Sequence, residues 1–375
     1  MSVVETLAKL VAIDSVSSRA NTEIIKFLAA HCERLGMRVD FFPYTDARGV
    51  EKVNLVALTP HDASEQDIEL ALVGHTDTVP FDPAWAEALT LTERDANFYG
   101  RGACDTKGFI AAALVAAESL DLASLKRPLA LVFTADEEVG CLGAKRLAEA
   151  QAFRARAAVV GEPTSLQPMR AGKGYCLAEV TVAGREGHSA YPALGASAVF
   201  RAARLITRIE EVAERLKSEP HPAFDPPHTT LNVGVINGGT AKNIIPGECR
   251  FTLEWRPVPG QAADHVVQLI QAEVENLRAQ DPGFDCRIER LRLDGASETS
   301  PTAPLVRELE AATGKAAGTI SFGTEAPQLT ELGAQAVVFG PGDIRHAHRT
   351  GEFVPVVELH TCVNVLTRAI KRFCL

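Results

Sequence analysis

The stretch IELALVGHTDTVP, residues 68–80, decides the fold class because an apolar run leads directly into side chains that can bind metal ions. Ile68–Val73 is short, apolar and followed by a glycine, which is typical of a buried strand. His75 and Asp77 come immediately after it. Since open α/β sheets bind ligands at the carboxyl ends of their strands, this stretch predicts a site at a sheet edge.

Three further apolar runs end in the same way. The runs and the residues that follow them are Pro128–Thr134 before Glu137 and Glu138, Ala157–Val160 before Glu162, and Ala336–Phe339 before His346 and His348. Strands of this kind that alternate with helical segments indicate a mostly parallel, layered α/β sheet. Four strand ends would then deliver histidines and carboxylates to one place.

Composition is that of an ordinary soluble globular protein, with 46% hydrophobic and 23% charged residues in a chain of 375 residues. The net charge of -10 disfavours a nucleic-acid surface. Apolar stretches are strand-sized or fit a buried helix, and the first residues lack the pattern of a signal peptide. The eight cysteines are scattered without a CxxC pair, which favours reduced thiols. We therefore expect a cytoplasmic protein without membrane or nucleic-acid partners.

The order of elements changes near residue 170 and again near residue 295, so we predict an inserted domain. Residues 1–169 are predicted to form the first part of a catalytic domain, which includes a strand at Asn54–Thr59. Residues 170–295 are predicted to form the insertion. Residues 296–375 are predicted to form the second part of the catalytic domain. The insertion is predicted to run β-α-β-β-α-β, which is a ferredoxin-like unit.

Each candidate ligand has an ordinary alternative role when it is considered alone. His75 with Asp77 could be a satisfied histidine beside a turn, and Asp105 could be a helix N-cap. Glu137 and Glu138 could lie on a solvated loop. Together, however, imidazoles and carboxylates without thiolates suit Zn²⁺, Co²⁺ or Mn²⁺. Two histidines and three carboxylates are enough for two metal ions that share a bridging carboxylate, a pair that activates water and polarises a carbonyl.

The motifs HTDTVP, GRGACDTKG, ADEEVG, GEPT and GHSAYP, in this order, resemble one family over nearly the whole chain. It is the co-catalytic metallopeptidase family of aminoacylases, carboxypeptidases, acetylornithine deacetylases and succinyl-diaminopimelate desuccinylases. The resemblance implies two Zn²⁺ or Co²⁺ ions per subunit, and it makes the inserted domain a lid and a homodimerisation domain.

The resemblance also implies a role for each matching residue of the centre. His75 would bind one metal ion with Glu162, Glu138 would bind the second with His348, and Asp105 would bridge the two. Asp77 would orient His75, and Glu137 would be the general base and acid. His348 is preferred over His346 because it precedes Glu352 as in the Ala-His-x-x-x-Glu ending of the family.

Further residues of the predicted site lie in the insertion and in a late loop. By resemblance, the partner subunit would bring His188 to the active site to stabilise an oxyanion. Asn243 and Arg256 match positions that contact substrate, and Arg256 could clamp a carboxylate. The loop Thr324-Glu325-Ala326-Pro327 resembles that of acetylornithine deacetylases. Glu325 could pair with an ammonium group, and Thr324 or Gly323 could contact the substrate carboxylate.

These features predict hydrolysis of an N²-acyl amino acid, with N²-acetyl-L-ornithine in arginine biosynthesis as the first choice. Acetylcitrulline, acetyl-lysine, succinyl-diaminopimelate and di- or tripeptides are alternative substrates within the family. A non-catalytic metal-binding scaffold is the alternative from another class. Glu137 disfavours it, because a protein that only bound metal would not need a base beside the ions.

Overall fold

A computed structural model describes residues 1–60 and 67–375, and it divides the chain into two compact units. The larger unit consists of Met1–Ala171, Glu298–Gly318 and Thr324–Leu375. The smaller unit consists of Gly172–Ser297 and Thr319–Gly323. The short second piece of the smaller unit falls within residues that the sequence pattern assigned to the larger one.

The elements before the smaller unit belong to the larger one and alternate as the sequence predicts. The helices are α1 (Val3–Ala12), α2 (Thr22–Arg34), α3 (Lys107–Glu118) and α4 (Leu142–Glu149). The strands are β1 (Arg38–Thr45), β2 (Glu51–Leu58), β3 (Asp67–His75), β4 (Thr92–Arg94), β5 (Asn97–Tyr99), β6 (Leu129–Thr134), β7 (Arg154–Val160) and β8 (Met169–Gly172).

The remaining elements form the smaller unit and the last part of the chain. The smaller unit contains β9 (Tyr175–Ala183), β10 (Gly187–His188), α5 (Ala198–Leu216), β11 (Thr230–Gly238), β12 (Ile244–Ile245), β13 (Glu248–Arg256), α6 (His265–Gln280) and β14 (Asp285–Asp294). After it come β15 (Ser297–Glu298), α7 (Pro304–Thr313), β16 (Gly318–Ile320), α8 (Ala326–Glu331), β17 (Gln335–Val338), β18 (Phe353–Pro355) and α9 (Val356–Cys374).

The sheet of the larger unit has β1, β2, β6, β3, β7, β17 and β8 as successive neighbours. The four central strands, β6, β3, β7 and β17, are parallel to one another, while β1, β2 and β8 pair in the antiparallel sense. Every residue of β6 is buried, as expected for a parallel strand covered on both faces. The predicted mostly parallel α/β fold is confirmed.

Helix α3 is buried along almost its entire length. It lies so close to the ends of β3 and β7 that glycine is needed at both places. A Cβ at Gly161 would lie 2.2 Å from the Phe109 ring, and one at Gly74 would lie 2.8 Å from Ile110. This close packing brings Asp105, which precedes α3, to the same sheet edge.

The smaller unit is built on a four-stranded antiparallel sheet with the order β11-β13-β9-β14. Its two long helices, α5 and α6, pack together and bury apolar side chains with the sheet, including Val180, Phe251 and Trp255. The chain order β9-α5-β11-β13-α6-β14 is that of the predicted ferredoxin-like unit.

All eight cysteines lie in described residues, and each is buried and outside any disulfide. Among the described helices, none combines the length and the apolar character that a bilayer crossing requires.

Candidate metal centre

The carboxyl ends of the central parallel strands meet at one edge of the larger unit, as the sequence predicts. His75 is the last residue of β3 and lies opposite Thr134 of β6 in the strand register. Glu137 and Glu138 follow β6, and Glu162 follows β7. Because β3 is hydrogen-bonded to both β6 and β7, their end loops converge on His75.

Asp105 stands between two histidines. Its Oδ1 lies 3.0 Å from Nε2 of His75, and its Oδ2 lies 3.0 Å from Nε2 of His348. The same nitrogen of His348 is 3.0 Å from Oε2 of Glu138. A carboxylate that turns one oxygen to each of two histidines has the arrangement needed to bridge two cations.

Two sets of donor atoms are compact enough to hold a metal ion. Potential ligand atoms of His75, Asp105 and Glu138 lie within 4.8 Å of one another, and so do those of His75, Glu137 and Glu162. The resemblance implies proton transfer for Glu137, yet its carboxylate, like that of Glu162, lies within 4.8 Å of His75.

The carboxylates of this cluster repel one another in a buried environment. Burial and the neighbouring carboxylates of Glu138, Glu325 and Asp105 raise the pKa of Glu137 to about 8, although His75 opposes this shift. Burial and neighbouring carboxylates also raise the pKa of Glu162 well above its ordinary value. Divalent cations would relieve this repulsion, so the donor set fits two metal ions in both chemistry and charge.

The histidines respond to the same crowding in the opposite sense. Hydrogen bonds with Asp105 and Glu138 raise the pKa of His348 to about 10, against the effect of burial. Burial would lower the pKa of His75, but hydrogen bonds with Asp105 and Asp77 hold it well above its ordinary value. The neighbouring carboxylates thus favour the protonated form of both rings, and a bound metal ion would take the place of that proton.

Asp77 binds the glutamate turn more closely than it binds the histidine ring. Its Oδ1 accepts a hydrogen bond from the main-chain N–H of Glu137 at 3.0 Å, and its Oδ2 accepts one from Glu138 at 3.3 Å. The Nδ1 atom of His75 is 3.0 Å from the main-chain oxygen of Asp77 and 3.6 Å from its carboxylate. The orientation that sequence reasoning assigned to the Asp77 carboxylate thus involves its main chain as well.

Glu325 and Thr324 lie in the larger unit with the donor cluster, at the start of α8. Glu325 is 1% exposed, and burial raises its pKa to about 7, with His75 and the Thr134 hydroxyl acting in the opposite direction. Within residues 1–60 and 67–375, no group donates a hydrogen bond to its Oε1. The Thr324 hydroxyl accepts a hydrogen bond from the N–H of Ala326 at 3.3 Å.

The other three predicted site residues belong to the smaller unit. His188 is exposed, and its Nδ1 accepts a hydrogen bond from the N–H of Ala190 at 3.1 Å. Asn243 is close to it, because the main-chain oxygen of Asn243 accepts a hydrogen bond at 3.0 Å from the N–H of Ser189, the residue after His188. Arg256 stacks on the ring of Tyr175 at 3.9 Å from the ring centroid.

A sequence model of the peptidase family M20/M25/M40 matches residues 71–372, which include each of these donors. The chain belongs to this family. An acetylornithine deacetylase from Myxococcus xanthus is 55% identical to it over 370 residues, which cover 98% of this chain and 97% of that protein.

Two solved structures of peptidases show the same fold. A tripeptidase from Staphylococcus aureus superposes with a TM-score of 0.78 at 22% identity and covers 99% of this chain and 97% of its own. A dinuclear metal binding peptidase of the M20 family from Bacillus subtilis gives a TM-score of 0.68 at 14% identity, with coverage of 99% and 97%.

In this member of the M20 family, sequence reasoning missed the residues that hold the Asp105 loop. Glu352, 1% exposed, accepts hydrogen bonds from the N–H groups of Cys104 and Asp105, both at 3.0 Å. Its other oxygen is 2.6 Å from Nη1 of the buried Arg101. Arg101 lies in the GRGACDTKG motif and Glu352 follows His348, so the motifs contained both residues but not their pairing.

His346, the other histidine of this loop, and Cys104, which precedes Asp105, have other surroundings. The His346 ring packs against Phe353, with 4.3 Å between the ring centroids. The Cys104 thiol lies 3.6 Å from the main-chain oxygen of Asp343. Of the two histidines in this loop, the structure thus brings His348 to the carboxylate cluster.

Proposed function

We propose that this chain is a metal-dependent amidohydrolase that converts N²-acetyl-L-ornithine to L-ornithine and acetate in arginine biosynthesis. The match to the Myxococcus xanthus acetylornithine deacetylase, which extends over 98% of this chain, supports this assignment. The observation that carries the substrate choice is the buried carboxylate of Glu325 beside the donor cluster.

The argument from Glu325 is one of charge. A carboxylate buried without a cation is unfavourable, so it takes up a proton or pairs with a positive group. The raised pKa near 7 reflects this condition. The side-chain ammonium group of an acylated ornithine would supply the missing positive charge. A neutral side chain would leave the carboxylate uncompensated, which favours ornithine over citrulline derivatives.

The residues that would hold two Zn²⁺ or Co²⁺ ions are those of the donor cluster. His75 and Glu162 would serve one ion, Glu138 and His348 the other, and Asp105 would bridge them. When bound, such ions lower the pKa of water and polarise the carbonyl oxygen of the scissile amide.

The chain itself would move the proton. Glu137, a buried carboxylate beside His75, is placed to accept a proton from the attacking water and to pass it to the departing amine. Asp77 fixes the main chain of Glu137 and Glu138 and so holds both carboxylates in place. His188, from a partner subunit, would donate a hydrogen bond to the developing oxyanion.

Three polar side chains remain for the substrate carboxylate and acyl group. We assign these contacts to Thr324, Asn243 and Arg256. The guanidinium of Arg256 is held by Tyr175 on its face and by Glu254 at 2.8 Å, which leaves it oriented rather than mobile. An oriented guanidinium loses little entropy when it binds a carboxylate.

We further propose that the protein is a cytoplasmic homodimer that associates through the smaller unit, which would act as a lid. Large apolar side chains of this unit are exposed, with Phe200 of α5 at 75%, Val235 of β11 at 55% and Ile236 at 52%. β11 is also an edge strand of its sheet. Exposed apolar groups beside an open strand edge are typical of an association surface.

A single set of assays tests the substrate assignment. The purified protein, with Zn²⁺ or Co²⁺ added, is compared on acetylornithine, acetylcitrulline, acetyl-lysine, succinyl-diaminopimelate and a tripeptide. We expect kcat/KM to be highest for acetylornithine and to exceed that for acetylcitrulline by at least about tenfold, since a charge-assisted contact contributes about 1.5–3 kcal/mol. A higher value for succinyl-diaminopimelate or for the tripeptide would contradict the assignment.

A further inference from the structure

Strand β2 places two polar side chains, Lys52 and Asn54, on the same face, directed at the turn that carries Glu137 and Glu138. Residues two apart in a strand share a face. Lys52 is 1% exposed and Asn54 is fully buried. Polar groups are rarely buried to this extent unless they are paired, so their partners indicate what they do.

Lys52 joins two segments of the candidate metal centre. Its ammonium lies 2.6 Å from Oδ1 of Asp136, the residue immediately before Glu137, and donates to the main-chain oxygen of Ser17 at 2.8 Å. The Ser17 hydroxyl in turn donates to Oδ2 of Asp77 at 2.7 Å. Asp136 is fully buried, so this ion pair is shielded from solvent.

These contacts close a ring. Asp77 accepts the N–H groups of Glu137 and Glu138, Ser17 donates to Asp77, and Lys52 connects Ser17 back to the turn through Asp136. A closed set of buried hydrogen bonds restricts each member more than separate bonds would. The ring includes the main chain of Glu137 and Glu138 but neither of their carboxylates, so it holds the turn without using the groups that would bind metal or move the proton.

Asn54 and Tyr44 support the ring from β2 and β1. The side chain of Asn54 accepts from the N–H of Ala135 at 3.0 Å and donates to the oxygen of Gly143 at 2.9 Å, so it spans the two ends of the turn. The Tyr44 hydroxyl donates to the second oxygen of Asp136 at 2.9 Å. Both oxygens of the Asp136 carboxylate therefore have partners.

We propose that Lys52 is a positioning residue. Its ammonium links Asp136 to Ser17 and thereby holds the Glu137–Glu138 turn against Asp77, at the distance from His75 that metal binding and proton transfer require. The part of this inference that concerns turnover rests on the function proposed above. The part that concerns the geometry of the turn does not depend on it.

The test uses two variants and a matched control. Lys52→Met removes the ammonium but leaves a buried carboxylate unpaired, which endangers folding. Lys52→Met/Asp136→Asn removes both charges at nearly constant volume and retains an acceptor for Tyr44. Thr59→Val is the control, because Thr59 accepts the N–H of Leu129 at 3.0 Å beyond the opposite end of β2.

Two readouts separate positioning from simple stabilisation. The first is amide hydrogen exchange of Glu137 and Glu138 in the metal-free protein, and the second is Zn²⁺ affinity measured by competition with a chelator. In the double variant we expect exchange to accelerate at least tenfold and Zn²⁺ affinity to fall about 10–100-fold, as for other groups that orient metal ligands. Thr59→Val should lower the Tm and leave both readouts unchanged.

Turnover gives a third readout once acetylornithine hydrolysis by the unmodified protein is established. The double variant should lose about 10–100-fold in kcat with less than about a threefold change in KM, because the turn contacts the reacting groups rather than the substrate side chain. Unchanged exchange and unchanged Zn²⁺ affinity in the double variant would overturn the proposal. If the unmodified protein failed to hydrolyse acetylornithine, the proposed function would fall while the exchange experiment still decided the role of Lys52.

Discussion

The crowded carboxylates of the donor cluster predict that the metal-free protein loses stability as the pH rises. Burial raises the pKa of Glu137 to about 8 in the folded chain, against about 4.3 for an unperturbed glutamate. Between these two values the native state binds more protons than the unfolded state. By linkage, the free energy of unfolding then falls with increasing pH in this window.

The size of the effect follows from the same pKa. One proton held only by the native state changes the free energy of unfolding by about 1.4 kcal/mol per pH unit. From pH 6 to pH 8, Glu137 alone therefore lowers the free energy of unfolding by about 2 kcal/mol. This is slightly less than the full slope over two pH units, because native Glu137 begins to release its proton near pH 8. Glu162 and His348, whose pKa values are also raised, act in the same direction. In a domain of about 150–250 residues, 2 kcal/mol corresponds to roughly 4–8 °C in Tm.

Zn²⁺ should reverse the sign of this dependence. Its ligands must lose their protons to bind, so Zn²⁺ affinity, and the stability linked to it, increases with pH. The assay is scanning calorimetry at pH 6, 7 and 8, once with a chelator and once with excess Zn²⁺. Glu137→Gln is the matched control, since its metal-free Tm should depend less on pH. A metal-free Tm that rises from pH 6 to pH 8 would refute the reasoning.

Three further predictions concern single residues. Glu137→Gln should lower kcat by about 10²–10⁴-fold because it removes the general base. Its Zn²⁺ affinity should stay within about tenfold of that of the unmodified protein. Full activity in steady-state assays would exclude the assigned role. Glu325→Gln should lower kcat/KM for acetylornithine by about 10–100-fold. The change in kcat/KM for acetylcitrulline should be much smaller, because that substrate has no side-chain charge. Equal losses on both substrates would contradict the ammonium contact. Glu352→Gln should lower the free energy of unfolding, measured with urea, by about 3–5 kcal/mol because Arg101 is left buried without a negative partner. The double variant Arg101→Met/Glu352→Gln should recover part of the lost free energy. No recovery would count against the ion pair as the cause.

The local pattern of the sequence was enough to predict the architecture. Short apolar runs that end in ligand residues predicted parallel strands whose ends meet, and β3, β6, β7 and β17 are arranged in this way. The alternation of strands and helices from residue 170 predicted the ferredoxin-like unit. Such patterns can be read from the chain because the side-chain period of a strand or helix is a local property.

The buried ion pairs that hold the site in place were not predictable in this way, because they depend on which distant segments of the chain the fold brings together. Arg101 and Glu352 are 251 positions apart, and Lys52 and Asp136 are 84 apart. The apolar pattern begins the second strand at Asn54, whereas β2 begins at Glu51 and includes Lys52. In the sequence, a lysine beside an apolar run indicates the exposed end of a strand. Lys52 can be buried only because its ammonium group pairs with a buried carboxylate.

The sequence by itself therefore determined the family, the fold class and the types of residue that gather at the sheet edge. The tertiary structure decided how they are held. It showed Asp105 between two histidines, Asp77 on the main chain of the glutamate turn, and buried ion pairs behind both. The physical reason is that hydrogen bonds and charge pairs depend on distances of a few ångströms between segments, and those distances are set by strand order and helix packing.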